Sequence, residues 1–462
     1  MPMHATRSLR PGPAPDPAPG PEPLVPFRQF LLKIHSRCDL ACDYCYMYEA
    51  ADQSWRGRPR RMELDTVRRT AALIAGHARE HRQSEVRIVL HGGEPLLVGA
   101  RHLDELLGIL TGALDGVAAP RFVLQTNGVR LGRDPGLLEV LDRYGVRVGV
   151  SLDGTAADHD RHRRRPDGRG SHAATVRALD LLATGPHRHL YAGVLCVVDL
   201  AADPVETYEA LLAHTPPRLD LLLPHATWDA PPPGLADRTV PPDRPPSPPS
   251  GPTPYGDWLC AVFDRWYGAP RRETGIRLFE EIMVLLLGGT ARSESVGLTP
   301  VDLVVVETDG TIEQADSLKV SYPGAPETGL DVFRHTFADA ALHPAFRARQ
   351  RGTAGLGPVC RGCPRARVCG GGLYAHRYRP GDEPSFSAPS VYCQDLALLV
   401  DHIADRVRQD VARLADAPDY IGTPDHTGSP DHSDSPDHIG TPDHTVSPDR
   451  TDSPDHPEAV AR

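Results

Sequence analysis

Short apolar runs alternate along this chain with stretches whose apolar positions recur at helical spacing. The runs fall at 29–34, 86–91, 121–126, 146–152, 191–198 and 218–223. Helix-period stretches follow at 63–81, 103–114, 135–143, 173–182 and 204–213. Strand followed by helix, repeated, predicts a parallel sheet with helices outside it. The runs are apolar on both faces, as buried parallel strands are. Six strand-led units predict an α/β protein built as a partial (β/α)6 barrel, with function at the C-terminal ends of its strands.

The pattern changes at both ends and twice between them. Residues 1–26 are Pro-rich and predict a disordered leader, 27–230 hold the barrel, and 231–254 form a second Pro-rich linker or insertion. Helices are predicted at 255–267 and 276–287, then a hairpin over 301–316 turning at Asp309-Gly310. A Cys-rich region, 360–393, and a last helix, 395–414, complete a second domain spanning 255–415. From 416 to 462 a Pro-Asp hexapeptide repeats, mostly as Pro-Asp-His, and predicts a disordered tail.

Composition narrows the class. The formal charge of −11 argues against nonspecific binding to nucleic acid or an anionic membrane surface. Lys33 and Lys319 are the only lysines. No apolar signal-peptide core is visible, and the longest apolar run, 282–287, is far too short to span a bilayer, so a cytoplasmic location is expected. Nine cysteines in such a chain read as metal ligands before disulfides. Cys196 and Cys260 sit in strand-like and helical apolar stretches and are expected in the core.

The other seven cysteines form two clusters. Cys38, Cys42 and Cys45 stand in a C-x3-C-x2-C spacing just after the first strand. Three thiolates in one loop can hold three irons of a [4Fe–4S] cube and leave the fourth open to a small ligand. A zinc knuckle is the alternative, with its pairing of C-x2-4-C with a second pair. With Tyr44 before the last cysteine, the stretch resembles the radical SAM signature. That resemblance implies a TIM-like partial barrel of radical SAM type. It also implies a SAM-binding [4Fe–4S] cluster, and S-adenosyl-L-methionine cleaved by one electron to a 5′-deoxyadenosyl radical.

Strand ends carry polar groups suited to one zwitterionic nucleotide. Gly92-Gly93-Glu94-Pro95 is by itself a turn; one helix after the cysteine loop, it resembles the GGEP motif that holds the methionyl amino group. Gln125 and Asn127, within Gln125-Thr126-Asn127-Gly128, can bond sugar or carboxylate groups or simply cap a turn. Ser151 and Asp153 follow the fourth strand, as donor to a carboxylate and acceptor from ribose hydroxyls. His159 to Arg163 resembles the family's HDxxR element, in which Arg163 would pair with the SAM carboxylate. Val197 and Val198 could pack on adenine or in the core.

The second cluster, Cys360, Cys363, Cys369 and Cys393, reads as a closed iron–sulfur or zinc site. It resembles a SPASM extension that has lost one set of ligands. Ser295, Ala315 and Leu373 stand where that pattern has cysteines of a first auxiliary cluster. One auxiliary [4Fe–4S] cluster is expected, with zinc the alternative.

Three further stretches, 222–233, 307–319 and 386–393, resemble the cyclophane-forming radical SAM/SPASM peptide maturases of FxsB type. The resemblance spans about residues 27–410. It implies a ribosomal precursor peptide with a Phe-x-Ser-type core and an electron donor such as a flavodoxin or ferredoxin. The reaction would join a Cβ to an aromatic ring three residues away. Asp316 and Glu313 on the hairpin are the candidate general bases, against a plain salt-bridged hairpin surface. His225, Trp228 and Asp229 lie where a peptide would enter, though Trp228 could equally plug the core. The alternatives are another SPASM modifier, forming formylglycine in sulfatases or thioethers, and a non-catalytic zinc scaffold.

Overall fold

In the computed structural model six strands run parallel in chain order: β1 (Gln29–His35), β2 (Glu85–Gly92), β3 (Ala119–Thr126), β4 (Arg147–Ser151), β5 (Tyr191–Val197) and β6 (Arg218–Leu222). Between them lie α1 (Leu64–Glu80), α2 (Ala100–Leu114), α3 (Pro135–Arg143), α4 (Ala156–His162), α5 (His172–Ala183) and α6 (Pro204–Leu212). Then come α7 (Pro254–Tyr267), β7 (Gly275–Ile276), α8 (Arg277–Leu286), β8 (Leu303–Val306), β9 (Thr311–Glu313) and β10 (Glu327–Asp331). A last helix spans Cys393–Ala415. Residues 24–415 are described, apart from 239, 247, 248, 250 and 382–384. Most of the leader and all of the repeat tail therefore lie outside the described residues. Residues through Val411 form one compact unit, and a second begins at Ala412.

All ten strands share one sheet, in the order β10-β9-β8-β1-β2-β3-β4-β5-β6-β7. It is the α/β partial barrel that the alternation predicts, with two additions. The hairpin strand β8 pairs in parallel with β1, from Gln29 opposite Leu303 to Leu32 opposite Val306, so the C-terminal region extends the barrel's own sheet. β10, whose sequence Glu-Thr-Gly-Leu-Asp lacks apolar alternation, adds an antiparallel edge.

One face of each strand is sealed against the helices: Phe30, Leu32 and Ile34 of β1 and Val86, Ile88 and Leu90 of β2 have no exposed surface. The other face departs from the expectation of buried strands. Gln125, Leu195, Val197, Asp220 and Leu222 line an open cleft, because a partial barrel does not close over its interior. Helix starts are fixed locally. Asp134 accepts from Gly136 N, and Asp203 from Val205 N and Glu206 N, each with Pro next at the first helical position. Cys196 and Cys260 are buried in the core, as is Trp228, whose Nε1 donates to Pro389 O at 2.8 Å. Among the described residues no helix is long and apolar enough to cross a membrane.

The sheet makes one tight demand at Gly193. Opposite β4 the register slips, Tyr191 facing Val148 and Gly193 facing Gly149, and Gly193 takes φ +143°. A Cβ there would stand 2.2 Å from the carbonyl oxygen of Arg218 on β6. Gly193→Ala is expected to cost roughly 2–4 kcal/mol of stability through overpacking and backbone strain. A lowered urea midpoint with an unchanged slope would show it.

Candidate functional site

The C-terminal ends of β1 to β6 surround a cleft of about 1470 Å³ of open space. Cys38, Cys42 and Cys45 line it, from the loop that leaves β1. Burial pushes all three thiols up, Cys42 to about 11. Neutral thiols crowd there at little cost, whereas thiolates need a metal centre to compensate their charge. Among the described residues no three His, Cys, Asp or Glu side chains converge closely enough for a single metal ion. Three thiols from one loop bordering an open cleft suit a cluster that leaves one iron free for a ligand.

The loop keeps its place because two glycines let β2 close on it. Gly93 N donates to His35 O and Glu94 N to Arg37 O, both at 2.9 Å. A Cβ on Gly92 would lie 2.2 Å from His35 O, and one on Gly93 only 1.7 Å from the Tyr48 hydroxyl. Glu94 itself turns inward with no exposed surface. Its carboxylate accepts from Leu96 N, Thr126 Oγ1 and Asn127 N, and burial lifts its pKa to about 7. Asn127 Nδ2 reaches Asp39 Oδ1 at 2.9 Å and Cys38 Sγ at 3.6 Å, tying the third strand end to the cysteine loop.

Across the cleft, Asp153 accepts from Arg163 Nε at 2.8 Å, from Val197 N at 3.0 Å and from the Tyr44 hydroxyl. The Arg163 guanidinium lies 5.5 Å from the Tyr44 ring centre. Burial pushes the Asp153 carboxyl up, yet Arg163 and these hydrogen bonds hold it below its usual value. Arg163, Tyr44, Ser151, Gln125, Asn127, Gly92 and Gly93 all line the cleft with the three cysteines; Asp153 and Glu94 stand behind that lining. Val197 lines it too, while Val198 is in the core.

Cys360, Cys363, Cys369 and Cys393 line one separate cavity of about 340 Å³. Burial, then the neighbouring thiols, push Cys360 up to about 11 and Cys393 higher. A pocket lined by four thiols, Cys360 buried and the others half-buried, fits a closed cluster. Of the three positions lacking cysteine, Ser295 and Leu373 face the main cleft and Ala315 is buried.

The hairpin carboxylates are placed differently. Asp316, 5% exposed, accepts from Lys33 Nζ at 2.8 Å and does not line the cleft. Glu313, fully buried, is paired with Arg58 and lies 3.5 Å from Lys319 Nζ. Three cleft residues carried no sequence signal of function: Tyr46, His91 and His376. His91 could have been found as the polar end of an apolar strand. His376 comes from the Cys-rich region, whose fold brings it across the chain.

Residues 32–187 match the Radical SAM superfamily. The chain carries a radical SAM domain. The cysteine loop, the glycine turn and the Arg163–Asp153 pair all fall inside it. The chain is 33% identical over 193 residues to a serine-type anaerobic sulfatase-maturating enzyme of Klebsiella aerogenes, covering 41% of this chain and 44% of that one. A cysteine-type anaerobic sulfatase-maturating enzyme of Clostridium novyi is 22% identical over 342 residues, 71% of this chain and 86% of that one. The chain thus spans less than half the length of the first curated relatives it matches. The fold is similar to that of native anSMEcpe with bound AdoMet, at TM-score 0.66 and 20% identity over 83% of this chain and 99% of that one. A radical SAM domain works with a [4Fe–4S] cluster and S-adenosylmethionine, and the donor set around the cleft fits both.

Arg163→Gln would strand Asp153 as an uncompensated buried charge, at about 3–5 kcal/mol. Adding Asp153→Asn should recover much of that loss. A double-mutant cycle by denaturant unfolding reads the coupling, and additive losses would contradict it.

Proposed function

We propose that this radical SAM enzyme joins carbon atoms within a ribosomally made peptide, as a cyclophane-forming maturase. The observation that carries the reading is the composition of the cleft wall. The end of β6 and the stretch after it, Leu222, Leu223, Pro224 and His225, line the same cleft as the cysteine loop, Ser295 and Leu373. A peptide laid there would meet the reactive end of the barrel with no first auxiliary cluster between. When bound, the cluster at Cys38, Cys42 and Cys45 supplies the electron that splits S-adenosylmethionine into a hydrogen-abstracting radical.

The chain's own residues would do the rest. Arg163, held by Asp153, offers a fixed guanidinium to the carboxylate of S-adenosylmethionine. Ser151, Gln125 and Asn127 offer hydroxyl and amide groups to its polar atoms, and Val197 an apolar wall to its base. Glu94 holds the strand ends that shape the amino-group pocket. Cys360, Cys363, Cys369 and Cys393 would hold an auxiliary cluster suited to take up the electron released when the ring regains aromaticity. A flavodoxin- or ferredoxin-type protein in the cytoplasm would supply reducing electrons.

Formylglycine formation is the second reading, favoured by the identity to sulfatase-maturating enzymes. The two reactions are separable although each can remove two hydrogens from a peptide. Reduced enzyme is offered S-adenosylmethionine with synthetic peptides carrying Phe-x-Ser or sulfatase-type Cys and Ser cores. A crosslink resists hydrazine reagents and locks the peptide against fragmentation between ring and Cβ; an aldehyde is trapped by hydrazine. The hydrazone alone would replace the first reading with the second.

Metal content gives an independent check. The anaerobically reconstituted protein is expected to be brown with about eight irons per chain. Cys42→Ala and Cys363→Ala should each remove about four of them. A colourless zinc protein would contradict both clusters.

A further inference from the structure

The cleft wall carries two imidazoles that the hydrogen-bonding network leaves open. His225 follows β6, and His376 belongs to the Cys-rich region. Both line the cleft, and their ring centres lie 5.6 Å apart. His225 Nδ1 and His376 Nε2 are buried and have no hydrogen-bond partner. Native proteins satisfy nearly all such atoms, and these two belong to adjacent residues that line the cleft, so they ask for a functional reason. The groups around the pair are few. The Tyr46 ring stands edge-on to His225 at 4.5 Å, the Tyr392 ring lies 5.0 Å from His376, and Asp316 is the one charged group that acts on His225. His376 also feels Arg377.

We propose that His225, positioned by His376, is the proton acceptor for the aromatic ring of the bound peptide. This rests on the crosslinking reading above. A peptide Cβ radical adds to the ring, forming the Cβ–aryl bond. One electron then leaves to an acceptor of the iron–sulfur class. The ring C–H bond breaks, its electron pair restores aromaticity, and the proton goes to His225.

Three features favour His225 over the hairpin carboxylates. It borders the cleft, which Asp316 and Glu313 do not. Its Nδ1 has no partner and its ring is in no ion pair, whereas each carboxylate, though Asp316 Oδ1 and Glu313 Oε2 also lack a hydrogen bond, is held by a cation, Asp316 by Lys33 and Glu313 by Arg58. Burial lowers its pKa to about 4, so the imidazole is neutral and ready to accept at neutral pH. A base that weak suffices, because an oxidised, non-aromatic ring is a strong acid. The Asp316 charge, although paired with Lys33, favours the imidazolium once formed.

The test compares His225→Gln, His376→Gln and Asp316→Asn with the wild type in cluster-loaded protein. The substrate is a synthetic Phe-x-Ser peptide, with ordinary or ring-deuterated phenylalanine. Iron content should match the wild type in both histidine variants, and crosslinking is read at saturating peptide, which separates chemistry from folding and binding. In His225→Gln, crosslink formation is expected to fall about a hundredfold while deoxyadenosine still forms, and a ring-deuterium isotope effect should appear. Added imidazole should restore crosslinking to His225→Ala. His376→Gln should show a smaller loss of the same kind. Full crosslinking by His225→Gln, with loss confined to Asp316→Asn, would overturn the assignment and leave the crosslinking reading intact. Wild type that yields deoxyadenosine but no crosslink overturns both.

Discussion

Three half-buried thiols at one end of a parallel sheet set the terms for everything around them. Each is uncharged only while nothing binds it, since burial raises all three. The surrounding backbone must come close without filling the space. Gly92 and Gly93 permit this, because a side chain on either would strike the backbone leaving β1 or the Tyr48 hydroxyl. The charged groups nearby must then be matched internally. Arg163 and Asp153 neutralise one another, and Glu94 accepts from Leu96 and from the neighbouring Thr126 and Asn127. A site built so has its polar atoms already oriented, which reduces the reorganisation that binding demands.

The same logic governs the chain's two lysines. In a protein whose basic residues are otherwise arginines, Lys33 and Lys319 are each 1% exposed. Lys33 bonds Asp316, and Lys319 lies 3.4 Å from Glu307 and 3.8 Å from Asp52. With Arg58 on Asp309 and Glu313, these pairs bind the hairpin to β1 and to the segment following the cysteine loop. Buried pairs of this sort add little net stability, but removing one partner is costly, so they fix position more than they strengthen the fold. The hairpin is therefore tied to β1, with its carboxylates paired to Lys33, Lys319 and Arg58.

The alternation of strands and helices was legible because parallel strands and amphipathic helices have different periods, and six strands appear where the runs stand. The cysteine loop, the glycine turn and the polar strand ends were legible because each is local in sequence. Three things were not. The parallel pairing of β8 with β1 joins residues far apart in sequence, and no local pattern encodes such a partner. The short α4, which carries His159 and ends beside Arg163, is mostly His, Asp and Ala; it is started by Thr155 accepting from Asp158 N and shows no apolar stripe. The hairpin reads as acidic and exposed, but the two lysines and Arg58 draw its carboxylates inward. Composition alone could not reveal that, because the countercharges come from β1, a distant loop and the following turn.

Positions 295, 315 and 373 carry Ser, Ala and Leu, and two of them shape the cleft. Ser295 and Leu373 become cleft wall, so the space between the two cysteine sites belongs partly to whatever the cleft holds. The remaining gap is filled by rings. Tyr46, next to Cys45, meets His225 at 4.5 Å, His225 meets His376 at 5.6 Å, and His376 meets Tyr392, next to Cys393, at 5.0 Å. The two sites are thus joined by packed side chains along one side and by open cleft along the other. Tyr46, His225 and His376 of that file border the cleft. Under the crosslinking proposal, an electron leaving the peptide would have this packed path toward the four-cysteine cavity, and a proton would meet His225.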